Sequence, residues 1–325
     1  MAFGKVTWKT DDETNLAYSD NPEVVEFQKG DKDTLLHTAA LNNTTKNFEW
    51  YHMIKNSNYP AAKTGRFYFI AKNKTNHAIT IRVKGAGYFG KPTSSQPKAG
   101  LCADTMIRAL NSGWSSMSVP AYSVTAIYTG AINFAQGSDE QYFTYGRYAV
   151  ESPETGIELR TVAVNKGPRT DAEMKKAAYD LSTLAPADGT GQFTGELEYS
   201  AKYKVFTSAP VPFRIGEHPK DQNNVDEYTP VVWYKSGGAT YNKGNFGVVY
   251  RMTFPSSVKS VNLKFPRTTS GASVKGCVIY KSGAGAWKST GVHNSGDSVP
   301  ISLDSQKTLR VMITGANNGN YEISV

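Results

Sequence analysis

The sequence predicts an all-β protein, with two antiparallel β-sandwich-like domains joined by one short helix. Three observations carry this: period-two alternation of apolar residues, turn residues where each alternating run ends, and a single segment with helical spacing and a helix start signal. Ile79, Ile81 and Val83 alternate with Thr80, Arg82 and Lys84. Tyr122, Val124, Ala126 and Tyr128 alternate with Ser123 and Thr125, with Ile127 as a departure. Leu197, Tyr199, Ala201, Tyr203 and Val205 alternate with Glu198, Ser200, Lys202 and Lys204. Val261, Leu263 and Phe265 flank Asn262 and Lys264, and Leu309, Val311 and Ile313 flank Arg310 and Met312. Because successive side chains of a strand point to opposite faces, each run has one face in a core and one in water. Half-exposed strands of this kind belong to antiparallel sheets.

The helical segment is Thr170-Asp171-Ala172-Glu173, which has the form of a capping box, followed by Met174, Ala177, Ala178 and Leu181 at helical spacing. Pro186 and Gly189 stop it, so the spacing predicts a helix from Asp171 to about Leu184. With 325 residues, the chain is long enough for about two domains of ordinary size. The expected division is an N-terminal sandwich over 1–165, a helical connector over 166–190 and a C-terminal sandwich over 191–325. A weak internal repeat agrees with duplication. Gly65-Arg66-Phe67 recurs in form as Gly244-Asn245-Phe246, and Ser118-Val119-Pro120 recurs as Ser298-Val299-Pro300.

Composition excludes several classes. Hydrophobic residues are 39% and charged residues 20%, which places the chain among globular proteins. The longest apolar run, Phe67 to Ala71, is far shorter than the ~20 residues a membrane helix needs, so no transmembrane segment is expected. Lys+Arg 36 against Asp+Glu 28 gives 36 − 28 = +8, with no basic block, and the positive residues look dispersed. Nucleic acid is therefore not an expected partner, while the sign suits anionic cell-wall polymers or acidic glycans. Cys102 and Cys277 form no CxxC, and a long-range disulfide or two buried thiols remain alternatives.

No catalytic, cofactor-binding or metal-ligating residue is assigned. Gly85-Ala86-Gly87-Tyr88-Phe89-Gly90 is a literal GxGxxG, but Lys91-Pro92-Thr93-Ser94-Ser95-Gln96-Pro97 follows in place of the helix that a dinucleotide site requires. It reads as a glycine-rich turn or bulge leaving a strand. His37, His52, His77, His218 and His293 show no metal-binding spacing, and His52 reads as a packed, hydrogen-bonded side chain. No GxSxG elbow or P-loop occurs. The carboxylates of Asp11-Asp12-Glu13, Asp139-Glu140, Glu151 and Glu154 read as solvated turns, with calcium binding by Asp11, Asp12, Glu13 and Asp20 as an alternative that no EF-hand spacing supports. A hydrolase would need two of them brought together across a cleft. Aromatic residues are 12%, and Trp114 and Trp287 lie in Gly/Ser-rich stretches where an exposed ring can stack on a sugar. They are the candidate ligand-facing residues, with capping of a sandwich end as the structural alternative.

Four segments taken in order carry a family resemblance: Asn21-Pro22-Glu23-Val24-Val25, Tyr51-His52, Arg169-Thr170-Asp171-Ala172-Glu173, and Asn242-Lys243-Gly244-Asn245-Phe246-Gly247-Val248-Val249-Tyr250. This order resembles a family of secreted proteins of cyanobacteria and Gram-positive spore formers for which no activity is established. Pro255-Ser256-Ser257 stands where the family often has Asn-Pro-Thr. The resemblance implies export and a non-cytoplasmic role. No signal core precedes Lys5, so export would mean a leader already removed. Within the last segment, Gly244 and Gly247 permit positive φ or close approach, and Phe246, Val248 and Tyr250 share one face at an interdomain strand entry.

The expected function is a non-enzymatic structural or adhesive protein at the cell surface or in the extracellular matrix. Its expected partner is itself, by strand-edge assembly into an oligomer or filament. The alternatives are a carbohydrate- or cell-wall-binding protein using Trp114 and Trp287, and a secreted hydrolase whose carboxylates converge only in the fold. No cofactor is expected.

Overall fold

The computed structural model describes residues 3–10, 14–20, 22–26, 33–55, 63–135, 140–166, 169–186, 194–216, 231–234, 242, 244–265, 275–315 and 320–325. Asp11, Asp12, Glu13, Asn21, Asp139 and His218 lie outside them. The elements run β1 (Lys9–Thr10), β2 (Thr14–Ser19), β3 (Val24–Glu26), β4 (Thr34–Leu41), β5 (Thr45–Lys55), β6 (Lys63–Asn73), β7 (Ile79–Gly90) and α1 (Lys98–Asn111). They continue with β8 (Ser115–Val119), β9 (Val124–Phe134), β10 (Gln141–Glu151), β11 (Ile157–Asn165), α2 (Asp171–Asp180), β12 (Thr194–Tyr199), β13 (Ala201–Val205), β14 (Phe213–Ile215) and β15 (Val231–Tyr234). The last are β16 (Val249–Thr253), β17 (Ser260–Lys264), β18 (Val278–Ser282), β19 (Lys288–Ser289), β20 (Ser298–Ser302), β21 (Thr308–Ile313) and β22 (Tyr321–Ser324). The fold class is all-β, in layered and mainly antiparallel sheets.

From β4 to β11 the chain forms two facing sheets, ordered β4-β11-β6-β9 and β5-β10-β7-β8. Numbered one to eight along the chain, these are the orders 1-8-3-6 and 2-7-4-5. That winding is a jelly roll, two Greek keys wrapped into one sandwich. Its core centres on Trp50, Phe48, Phe67 and Phe69, all fully buried. The larger sheet is extended by β2 and β3, both parallel to β5, and then by β12 and β15. The second sandwich packs β1-β13-β16-β21-β18-β19 against β14-β22-β17-β20. Its strand orders differ from those of the jelly roll, and it contains a parallel pair, β13 with β16. The two sandwiches are therefore not copies of one topology, and the short sequence repeat reflects shared strand and turn rules.

Strands cross between the sandwiches. β1 pairs with β13 in the second, whereas β12, which immediately precedes β13, pairs with β2 in the first. The alternating run Leu197 to Val205 thus divides at Ser200 into two strands of different sheets.

The structure contains two helices where the sequence suggests one. α2 starts as expected. The Thr170 hydroxyl accepts from the Glu173 N–H at 3.3 Å, and the Glu173 carboxylate accepts from the Thr170 N–H at 2.7 Å. Its Met174 and Ala178 pack on the outer face of β4, β6 and β11, against Leu35, Tyr68, Ile70 and Val162. It ends at Asp180, before Leu184, where Arg160 donates to the Leu181 carbonyl at 2.6 Å. Thr170→Ala is expected to cost about 1 kcal/mol, read as a lower urea midpoint and faster hydrogen exchange in the first turn of α2. α1 was hidden by the Pro- and Ser-rich stretch ahead of it. Pro97 occupies its N-cap, and Leu101, Cys102, Thr105, Met106 and Ala109 recur at helical spacing on its buried side.

Candidate functional site

The site begins with strands that are buried on both faces. Along β5 and β10 the even positions, such as Phe48, Trp50 and Tyr148, enter the jelly-roll core. The odd positions face the second sandwich: Tyr51, Phe143 and Tyr145 pack with α1 and with Ala201, Val249, Cys277, Ile279 and Met312. This second apolar layer explains why Met312 is buried although it alternates with Val311 and Ile313, which enter the other core. Cys102 and Cys277 both belong to it as buried thiols that form no disulfide.

At one end of the layer the apolar contacts give way to a buried polar tie. Arg147 donates to Glu49 at 3.3 Å and to the Gly247 carbonyl at 2.7 Å, and the Tyr145 hydroxyl donates to Glu49 at 2.7 Å. Burial raises the Glu49 carboxyl from its ordinary pKa, and Arg147 and the Tyr145 hydroxyl partly counter that rise. Gly247 has φ +73°, and a Cβ there would lie 2.4 Å from Glu49 Oε2, so both reasons for glycine apply at once. Gly244 also has positive φ, and Phe246, Val248 and Tyr250 share one side as the sequence suggests, but that side enters the second core, and Val249 is the residue that joins the layer between the sandwiches. Asn242 clamps this turn, accepting from the Phe246 N–H at 3.1 Å and donating to the Phe246 carbonyl at 2.8 Å.

Beyond this tie the two facing sheets enclose a cleft of about 720 Å³. One wall holds Asn47, Ala149 and Lys84 as cross-strand neighbours on β5, β10 and β7. The other holds Arg251, Arg310 and Lys281, which are cross-strand neighbours on β16, β21 and β18. Arg147 also lines it. Trp114, in the α1–β8 loop, and Trp287, in the β18–β19 loop, both line the same cleft. Arg82 and Lys84 lie 5.0 and 5.2 Å from the Trp114 ring centre and hold it by cation–π attraction. Trp287 packs partly on the layer formed by α1 and Ile279. Thr44, Thr45 and Glu151 line a second hollow of about 540 Å³ as well, so the two concavities adjoin. Asn43, Thr80, Ser116 and Ser152 add hydroxyls and an amide to the second hollow.

The other residues singled out by sequence lie elsewhere. The GxGxxG segment is the second half of β7 and not a turn leaving it. Its glycines make room for aromatic rings, since a Cβ on Gly87 would lie 2.7 Å from Tyr128 and one on Gly85 would lie 2.4 Å from Tyr148. His52 is fully buried, with Nδ1 donating to the Pro22 carbonyl and Nε2 2.8 Å from the Ser19 hydroxyl. Ser19 in turn meets Thr161 of the opposite sheet at 2.9 Å, so this serine–histidine contact ties the sandwich layers together. His77 pairs with Glu154 on the surface, and Glu151 pairs with Arg82 at 2.8 Å. Among the described residues no group of three or more His, Cys, Asp or Glu is placed to hold a metal ion. Among the described residues that line the cleft, one is a carboxylate, Glu151, and a glycoside hydrolase would need a second placed across from it. No described helix is long and apolar enough to cross a membrane. Sequence reading missed the cationic wall, because its residues are distant in the chain and become neighbours only by strand pairing.

No protein-family model matches the chain, and no curated protein matches it. Among solved structures it is similar to the CUB1-EGF-CUB2 domains of rat MASP-1, at 10% identity over 93% of this chain and 100% of that one, with a TM-score of 0.21. It is also similar to the CUB1-EGF-CUB2 domain of human MASP-1/3, at 12% identity over 84% and 97%, with a TM-score of 0.21. A T=1 Penaeus vannamei nodavirus structure aligns at 11% identity over 80% and 81%, with a TM-score of 0.15. Similarities at these scores carry no functional information.

Proposed function

We propose that the protein is a non-enzymatic, extracellular or cell-surface adhesive protein that holds a carbohydrate or cell-wall polymer in the cleft between its two sandwiches. The carrying observation is that Trp114 and Trp287, far apart in the chain and on loops of different sandwiches, line one cleft. Indole rings offer an apolar face to the C–H face of a sugar, and the neighbouring Thr44, Thr45 and Asn47 offer hydrogen bonds to hydroxyls. The adjoining second hollow suits a polymer longer than one ring. For strand-edge assembly, the edge strand β8 is short and serine-rich and the edge strand β20 carries Pro300, features that blunt pairing, whereas the edge strands β4 and β9 are 8 and 11 residues long.

The reading is tested by co-sedimentation with insoluble cell-wall material and by calorimetry against soluble glycans. Wild type is expected to bind, with Trp114→Ala and Trp287→Ala each weakening binding by about tenfold, the loss of one ring contact. Absence of binding to every glycan and wall preparation sinks it. Recovery of the native protein only from the cytoplasm of its source cells sinks the extracellular part.

A further inference from the structure

We infer that the polymer in this cleft is an anionic saccharide chain, bearing carboxylates or phosphodiesters, whose oxyanions sit on the row Arg251–Arg310–Lys281. The inference rests on the glycan reading of the same cleft and adds the charge of the ligand.

Arg310 is the direct cross-strand partner of both Arg251 and Lys281. Directly opposed side chains have Cβ atoms about 5 Å apart, and like charges in that position oppose folding. Here three cations stand side by side in a half-buried wall, Arg251 lying 5.2 Å from the Tyr203 ring centre and Arg310 donating to the Gly283 carbonyl at 3.3 Å. Lys84 adds a fourth from the facing wall. Glu151, the carboxylate among the described lining residues, is bonded to Arg82 and to the Thr45 hydroxyl at 3.1 Å. A row of this kind attracts oxyanions, and the guanidinium fork of an arginine matches both carboxylate and phosphate. Low-dielectric walls on either side strengthen the attraction relative to open surface.

The distribution of the cations points to a saccharide. Among the described lining residues these cations belong to the first hollow, while the adjoining second one is lined by Asn43, Thr80, Ser116 and Ser152, with Arg82 as its cation. A single-stranded nucleic acid carries a phosphate at every residue and is tracked by cations along its whole path. An acidic glycan presents hydroxyls throughout, which the second hollow can accept.

The test measures binding of polygalacturonate, a glycerol-phosphate polymer, neutral dextran and oligo-deoxythymidine at low and moderate salt. The proteins are wild type, Trp287→Ala, and the double variant Arg310→Gln with Lys281→Gln. The single Lys281→Gln replaces the double variant if the latter does not show a cooperative melt. Wild type is expected to bind at least one of the two anionic polymers more than tenfold tighter than dextran, with affinity falling as salt rises. Whichever is tighter identifies carboxylate or phosphodiester as the anion. Each lost cation is expected to weaken that binding by roughly tenfold and to flatten the salt dependence. If dextran binds as well as the acidic polymers, depends on Trp287 and ignores the loss of the cations, this inference falls and the glycan reading stands. If oligo-deoxythymidine binds tightest, the saccharide assignment is overturned. If nothing binds, both fall.

Discussion

Arg147→Met is expected to destabilise the folded chain by about 3–5 kcal/mol, the loss found when one partner of a buried ion pair is removed. Arg147 is 5% exposed and Glu49 is fully buried, so the carboxylate would lose its charged partner where little water reaches it. The substitution strands the Glu49 carboxylate and deprives the Gly247 carbonyl of its 2.7 Å donor at the junction of the two sandwiches. Methionine fills similar volume, so the loss reports charge and hydrogen bonding and not a cavity. Adding Glu49→Leu removes the stranded charge and is expected to restore a large part of the loss. Urea unfolding followed by fluorescence measures both. A loss under 1 kcal/mol for the single variant would mean that Glu49 is already neutral in the fold, and the tie would then be only a hydrogen bond.

Trp50→Ala is expected to cost a further large amount, about 3–5 kcal/mol, from the opposite face of the neighbouring strand β5. Trp50 is fully buried, stacks on Tyr148 at 5.8 Å and 8°, and touches Phe67, Phe69 and Tyr128. Its Nε1–H donates to the Thr144 hydroxyl at 2.9 Å, which would be left without that donor. Its cross-strand partner is Gly146, where a Cβ would lie 2.2 Å from the indole. The two positions are thus coupled. Gly146→Ala is expected to be costly beside Trp50 and much less so beside alanine. A double-mutant cycle with no coupling would show that the indole can move aside.

These two sites show how far the sequence could be read. Alternation found β7 correctly where Ile79, Ile81 and Val83 are buried between exposed Thr80 and Arg82, because that face is open to water. It failed on β10, where eight successive residues from Phe143 to Val150 are buried, because a second sandwich covers the outer face. A strand buried on both sides has no polar face to mark its period. The start of α2 was legible since a capping box is local. α1 was not, because Pro97 supplies no side-chain cap and only the later spacing betrays the helix. The tryptophans of the cleft could be proposed one at a time from their Gly/Ser-rich surroundings, but their convergence could not. The same holds for the cations. In sequence they are scattered, and the registers of β16, β18 and β21 make them a row.

The exchange of β1 and β12 between sandwiches has a consequence for synthesis. As the nascent polypeptide leaves the ribosome, the amino-terminal jelly roll can wind up through β11, yet its larger sheet keeps an open flank until β12 emerges. β1 must wait longer still, for β13 and the strands that stabilise it. Neither half can close as an independent unit early in translation, so the growing chain carries unsatisfied strand edges that a holding chaperone would recognise.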